Sequence, residues 1–440
     1  MRFLWGFRLS LYHQLKITLY MRVLIVNTSD KKGGAAVAAH RLTEALIKNG
    51  VKVRMMVMEK NTDALYVSET GSRVLNEFRF VWERIVIWVN NLLSRRYLFA
   101  VSIANTGIDI TKTQEFREAD IIHLHWINQG MLSLKDIRKI LSSGKPVVWT
   151  MHDMWPLTTI CHYAHECNRF TSSCGKCPFL KLRWSNDLSR RVFHRKQRML
   201  DGQHICYVAV SSWLARNAQA SALLQGQRIE TIPNTLTCDK FTLIPQAEAR
   251  KKLSIKEKHV VVFGAARIDY PIKGFSYLCE ALRILISQKD FKREDILLIL
   301  FGGIKDEGIL KTLPTPYLYM GYQKSEQALS EIYSAADALV SSSKYETFGQ
   351  TLIEAQACGC LPVSFDGSGQ ADIIRHQENG YLARRLSAES LAEGLQWAFT
   401  QDHSEEKRAS LRSEVIRRYS GDVIASKYIK LYEQLTRKEV

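Results

Sequence analysis

Two doubly wound α/β domains are the architecture this sequence predicts, on three observations. Apolar runs of strand length alternate with longer segments of helical period, the pattern of βα units on parallel sheets. The alternation occurs twice, on either side of a turn-rich stretch at Asn234–Pro245. Residues suited to hold a ligand fall directly after the strand-like runs, where open parallel sheets bind their ligands. At 440 residues the chain exceeds one ordinary core, and two domains of roughly 150–250 residues are expected.

In the first half the predicted strands are Val23–Asn27, Val51–Val57, Ile121–His125, Val147–Met151, Cys206–Val210 and Arg228–Ile232. Helical patterns such as Ala36–Lys48 and Leu134–Ser142 separate them. In the second half the strands are Val260–Ala265, Leu297–Phe301, Tyr317–Met320, Ala338–Ser342 and Leu361–Ser364. Ser404–Leu435 reads as helix throughout, with Ile424, Tyr428, Leu431 and Leu435 at helical spacing on one docking face. The expected organisation is residues 1–20 as an upstream extension, 21–240 and 241–403 as the two domains, and 404–440 as a helical tail.

Composition places the chain among soluble globular proteins, with 46% hydrophobic and 24% charged residues. The net charge of +17 points to anionic partners, or else to plain solubility. No nucleic-acid module is recognisable, so phosphates and acidic lipid rank above DNA or RNA as partners. Five of the nine cysteines are scattered in apolar surroundings, which suits a reducing, cytoplasmic compartment. The first twenty residues are basic and aromatic, broken by Arg8, His13 and Lys16, without the apolar core of a secretory signal. Since Met21 opens the first strand, an upstream start-codon artefact is favoured there over a membrane-surface helix.

The second half carries the strongest motif. Glu346 sits in the loop after a strand, Thr347, Phe348 and Gly349 make the turn, Gln350 follows, and Glu354 lies one turn inside the next helix. Free amides at that helix start suit a diphosphate, and Glu354 suits two ribose hydroxyls. Arg267 and Lys273, after the strand at Val260, can converge on the same phosphates, and Gly274 starts a helix. Gly302 and Gly303 close another strand, a weak signal alone.

In the first half Gly33 and Gly34 follow the first strand and open a helix, a place for a phosphate or sugar hydroxyl. The loop is not G-x-G-x-x-G, and a ribose acid would require Glu59, so a nicotinamide site is disfavoured. His152, with Asp153 to orient it, ends a strand; a neutral imidazole there can donate to a sugar oxygen. His123 and His125 share a strand face, which fits packing or site lining better than a metal pair. Cys161, Cys167, Cys174 and Cys177 read as a structural zinc site, as free thiols, or as two disulfides. Phe78–Val101, rich in Trp, Ile and Arg, is too charged to span a bilayer. It either lies on anionic lipid or packs against the first domain's own core.

Glu346 and Glu354 with the run Ala355–Val363 resemble the E-x7-E element and following EA-x-A-x-G-x-PV of retaining glycosyltransferase family 4. Arg267, Lys273 and Gly274 resemble that family's GR-x4/5-KG, with Ala266 in place of its glycine. The loop at Gly321 and Tyr322 resembles the one beside the nucleobase. His152-Asp153-Met154-Trp155 and the cysteine-rich stretch are similar to bacterial exopolysaccharide transferases of the colanic-acid type. The resemblance implies a GT-B fold: two Rossmann-like domains facing across a cleft, with C-terminal helices returning to the first. It implies a hexosyltransferase that takes sugar from a nucleotide diphosphate carrier, retains anomeric configuration, and needs no cofactor or metal for the chemistry. Glu346, His152, Arg267 and Lys273 would be catalytic. Phe348, Gly349, Gln350, Glu354, Gly321 and Tyr322 would complete the donor site, and Gly33, Gly34, His152 and Asp153 the acceptor and phosphate loop. Any zinc on the four cysteines would be structural. The implied acceptor is a glycan or lipid-linked saccharide at the inner face of the plasma membrane. Rival readings are a nucleotide-sugar epimerase on the same fold and a non-catalytic glycan- or lipid-binding relative.

Overall fold

The computed structural model describes residues 21–437, and the expected upstream extension lies outside them. The chain divides into two compact units, one running to Pro233 and resuming at Gly421, the other Asn234–Ser420.

The first unit contains β1 (Arg22–Ser29), α1 (Gly34–Lys48), β2 (Lys52–Glu59), β3 (Val67–Glu69), α2 (Arg73–Asn90), α3 (Gln114–Glu118), β4 (Ile121–Leu124), α4 (Leu134–Leu141), β5 (Val147–Met151), α5 (Leu188–Leu200), β6 (Cys206–Ala209), α6 (Ser212–Gln219) and β7 (Arg228–Thr231). Its seven strands pair in the order β3-β2-β1-β4-β5-β6-β7, and every pairing is parallel. Helices cover parallel strands, so central strands are apolar along their whole length; β4 and β5 are buried at every position. Strand order reverses between β1 and β4, which is where a doubly wound sheet opens a crevice at its carboxyl edge.

The second unit continues with α7 (Gln246–Lys252), β8 (His259–Arg267), α8 (Phe275–Ile286), β9 (Ile296–Gly303), β10 (Tyr317–Tyr319), α9 (Glu326–Ala335), β11 (Ala338–Ser341), α10 (Gln350–Ala357), β12 (Leu361–Phe365), β13 (Tyr381–Ala383), α11 (Ala388–Phe399) and α12 (Glu405–Tyr419). Its six parallel strands run β10-β9-β8-β11-β12-β13, so the reversal falls between β8 and β11. Those two strands precede the Arg267/Lys273 loop and the Glu346 loop. The sequence motifs thus meet because the topology places their strands side by side.

The expected tail divides in two. The last helix, α13 (Gly421–Thr436), packs into the first unit's core through Ile424, Tyr428, Leu431 and Tyr432. Helix α12 stays in the second unit, because Arg408 and Arg412 donate to the carbonyls of Cys358 (3.1 Å) and Ala357 (2.8 Å) at the end of α10. The boundary also falls earlier than expected, since Leu236 N–H donates to Tyr419 O at 2.8 Å and ties residues after 233 to the second unit. The three-residue edge strands β3 and β13 have no counterpart among the predicted strands.

Candidate active site

Each unit gathers ligand-type residues at the carboxyl edge of its sheet. In the second unit, Gly274 follows a short 3-10 turn at Pro271–Lys273 in a left-handed conformation (φ 66°) and caps α8. Ser342, just past β11, donates its hydroxyl to Gly274 O at 2.8 Å and locks the two loops together. A Cβ on Gly274 would lie 2.0 Å from Ser342 O, so a side chain does not fit. The lock brings Lys273 Nζ into an ion pair with Glu346 Oε1, an oxygen that also accepts from Ser343 Oγ at 3.1 Å. The Glu346 backbone N–H donates to Ser368 Oγ at 3.1 Å. Arg267 extends from the end of β8, its guanidinium 4.8 Å from the Tyr270 ring centroid and 3.2 Å from Asp269.

Gly349, with φ 106°, turns the chain into α10 at Gln350. Four residues on, Glu354 is buried, and the Tyr333 hydroxyl lies 3.4 Å from its Oε2. Burial, with the Glu354 charge next in weight, drives the Tyr333 phenol well above its ordinary pKa, so it stays a neutral donor. The Phe348 side chain does not line the site as expected. It is buried edge-on against Tyr419, ring centroids 5.8 Å apart, because an aromatic ring in this tight turn is directed into the core. Gly321 has φ 65° and its carbonyl accepts from Gly302 N–H at 2.8 Å, while Tyr322 is exposed.

In the first unit, Gly33 caps α1 with φ 90° and Gly34 opens it. Glu59 pairs with Lys32, which engages the acid a ribose would have needed. At the ends of β4 and β5, His125 Nδ1 and His152 Nε2 share a hydrogen bond of 2.8 Å with rings stacked at 5.1 Å. His123 lies on the same face, 4.2 Å from His125 by ring centroids. Its two nitrogens meet Tyr432 OH at 2.7 Å and Thr150 Oγ1 at 2.8 Å. Burial holds His152 down at about 4 and His123 at about 3, so both are neutral at pH 7. His152 thus shares a hydrogen bond with His125, while Asp153 accepts from Trp126 Nε1 (2.7 Å) and the Trp155 N–H (2.8 Å) and lies 2.6 Å from His162 Nδ1.

Comparison with known proteins agrees with this fold. The family model described as "Glycosyltransferase Family 4" matches residues 32–240, and "Glycosyl transferases group 1" matches 245–418. A phosphatidyl-myo-inositol mannosyltransferase of Mycobacterium leprae is 27% identical over 317 residues, covering 71% of this chain and 73% of its own. Sucrose-phosphate synthase from Thermosynechococcus elongatus superimposes with a TM-score of 0.63 at 18% identity, over 94% of this chain and 99% of that one. Anabaena HepE, solved with UDP and glucose, gives 0.59 at 15% identity over 94% and 100%. The chain is a glycosyltransferase of the GT-B type.

Residues not foreseen complete the framework of this glycosyltransferase. Ser343 and Ser368 hold Glu346, and neither carries a sequence signal beyond being a small polar residue after a strand. Tyr432 lies outside the docking face read as Ile424, Tyr428, Leu431 and Leu435, and it reaches His123. Lys196 is buried, donates to the carbonyls of Trp155 (2.6 Å) and Thr158 (2.9 Å), and lies over the Trp155 ring. Burial lowers its pKa to about 7.

Cys161, Cys167, Cys174 and Cys177 line one pocket in the glycosyltransferase's first unit and are free thiols. Among the described residues no group of three or more His, Cys, Asp or Glu is placed to hold a metal ion. No disulfide joins the four cysteines in this structure. Burial pushes the Cys161 thiol up to about 12 and raises Cys174 and Cys177 as well. Protonated thiols in an apolar pocket behave as small hydrophobes.

Proposed function

We propose that this chain moves a hexosyl group from a nucleoside diphosphate sugar to a hydroxyl of a lipid-linked saccharide, retaining the anomeric configuration, in exopolysaccharide assembly of the colanic-acid type. The observation that carries the donor site is the Lys273–Glu346 pair, drawn from loops after adjacent strands at the point where strand order reverses. Beside it lie the amides at the start of α10 and Arg267, whose guanidinium rests against Asp269 and Tyr270.

A diphosphate entering here competes for the Lys273 ammonium, while Ser343 and Ser368 keep the Glu346 loop in place. Arg267, Lys273 and the helix start then neutralise the charge that develops on the leaving diphosphate. Glu354, backed by neutral Tyr333, is suited to accept hydroxyl hydrogen bonds from the ribose. With the leaving phosphate taking the acceptor's proton on the same face, departure and attack retain configuration, and no second carboxylate is needed as nucleophile. Neutral His152, oriented by His125, is suited to donate to a sugar oxygen. The phosphatidyl-myo-inositol mannosyltransferase relatives, whose name denotes a lipid acceptor, support a lipid-linked acceptor, and HepE makes UDP the first nucleotide to try.

The test is transfer from a panel of nucleotide sugars to lipid-linked saccharides, with UDP binding by calorimetry and product anomers by NMR. Lys273→Ala and Glu346→Ala should fold and lose about 10²–10³ in rate, as removal of a stabilising charge does. Wild-type turnover by Lys273→Ala would remove the diphosphate site, and an inverted product would remove the retaining mechanism.

A further inference from the structure

Helix α2 is inside out. Its buried face carries Asn76, Glu83, Arg84 and Ile87. Its exposed face carries an apolar stripe at helical spacing: Val74 (77% exposed), Phe78 (62%), Trp82 (45%), Ile85 (43%) and Val89 (53%). An amphipathic helix of a water-soluble surface shows the opposite arrangement.

The orientation is locked by hydrogen bonds. Glu83 Oε1 accepts from the backbone N–H groups of Ile103 (2.7 Å) and Ala104 (2.9 Å), and its Oε2 pairs with Arg84 at 2.7 Å. Arg84 also donates to Leu98 O (2.7 Å) and Val101 O (3.0 Å). Rotating the stripe inward would bare these polar groups, so the helix packs on its own unit through this polar set and Ile87 while the stripe stays outside.

The apolar face continues beyond the helix. Lys181 N–H donates to Asn91 Oδ1 at 2.6 Å, and Phe179 packs edge-on against Tyr97 at 5.2 Å. These contacts hold exposed Leu182 and Trp184 beside the end of α2. Around this end stand Arg95, Arg96, Lys181 and Arg183, all exposed. The two acids of the helix add no net negative charge outside, since Glu77 lies 3.6 Å from Arg73 and Glu83 is buried.

We infer that this face docks the chain on an anionic lipid bilayer. Apolar side chains with tryptophans suit the headgroup boundary, and the basic rim is complementary to acidic lipid. A second copy of the chain would set like charges against each other. Among the described residues no helix is long and apolar enough to cross a membrane, so the contact is with the surface. The inference rests on the lipid-linked acceptor reading above for its purpose, while its test is separate.

The experiment is co-sedimentation of the full chain, without nucleotide sugar, with phosphatidylcholine vesicles and with phosphatidylcholine–phosphatidylglycerol vesicles. The wild-type chain should bind the mixed vesicles preferentially. Phe78→Ser/Trp82→Ser and Arg95→Glu/Arg96→Glu should each bind them about tenfold more weakly, with the rest of the chain, including residues 1–20, unchanged. Should the helix variant prove unstable, the Arg95/Arg96 pair, past the helix end, decides alone. Lys273→Ala should bind vesicles normally while failing in transfer, so the two readings fail separately. Equal binding by wild type and variants, or none by wild type, would overturn the inference. So would a wild-type dimer, seen by sedimentation velocity, that the Phe78→Ser/Trp82→Ser change abolishes.

Discussion

The hydroxyl of Tyr432 lies 2.7 Å from Nδ1 of His123, 309 positions earlier in the chain. One turn before it on α13, Tyr428 OH lies 2.9 Å from Thr150 Oγ1, which in turn meets Nε2 of His123. Tyr432 from the last helix and a threonine at the end of β5 therefore satisfy the one imidazole of β4, and Tyr428 holds that threonine. His123 is packed against His125, and His125 holds His152. The C-terminal helix thus supports the histidine cluster of the first unit as well as its core.

Tyr432→Phe removes one partner and leaves a buried imidazole nitrogen without it. Such a loss costs about 1–3 kcal/mol. A urea-denaturation midpoint lowered accordingly, with UDP affinity of the second unit unchanged, is the expected result.

Acid should weaken the first unit specifically. His123 and His152 have folded-state values of about 3 and about 4, both below the unfolded value of 6.5. The unfolded chain therefore binds more protons than the native one once pH drops below 6.5. Stability is fully present above pH 6.5 and is lost as pH falls toward 4. For His152 alone the loss is on the order of 3 kcal/mol. Urea midpoints at pH 7, 6, 5 and 4.5 should fall progressively, and His152→Gln should flatten the profile.

Gly274→Ala should cost both stability and donor binding. The left-handed backbone at φ 66° costs a non-glycine residue about 1–2 kcal/mol, and the added Cβ meets Ser342 O at 2.0 Å. Relief of that collision separates the β8 and β11 loops and pulls Lys273 from Glu346. The measurement is UDP titration calorimetry beside thermal melting. A variant that binds UDP like the wild type would show that the Gly274–Ser342 lock does not set the site.

How much of this was legible in the sequence follows from what each feature requires. The long central strands are continuous apolar runs, so β1, β5, β8 and β9 could be placed within a residue or two. Edge strands of three residues, Val67–Glu69 and Tyr381–Ala383, are too short to show a period. Glu346, Lys273 and Gly274 stood out because charged residues and glycine after a strand need a reason. Phe348 misled because a side chain's direction within a turn depends on tertiary packing, here against Tyr419. The His125–His152 hydrogen bond was hidden for a similar reason: it depends on the pairing of β4 with β5, not on adjacency in sequence. The Trp, Ile and Arg content of the segment from Phe78 showed in the sequence, but which residues of α2 face outward was decided by Glu83 and Arg84, whose partners lie 14 to 21 residues on.

That last pair yields the sharpest stability prediction. Glu83 is fully buried, holds two backbone amides and neutralises the Arg84 guanidinium, itself buried. Glu83→Ala leaves the guanidinium without its counter-charge and two amides without an acceptor, a change costing about 3–5 kcal/mol. Against a domain stability of about 5–15 kcal/mol, that is enough to unfold a large share of the first unit near its midpoint. Glu83→Gln keeps the shape and one acceptor oxygen, so it should lie between the variant and the wild type. The order wild type, Gln, Ala in urea midpoint, followed by tryptophan fluorescence, is the expected outcome. A Glu83→Ala variant as stable as wild type would mean that α2 is not held by its polar face, and its exposed stripe would then be free to rotate.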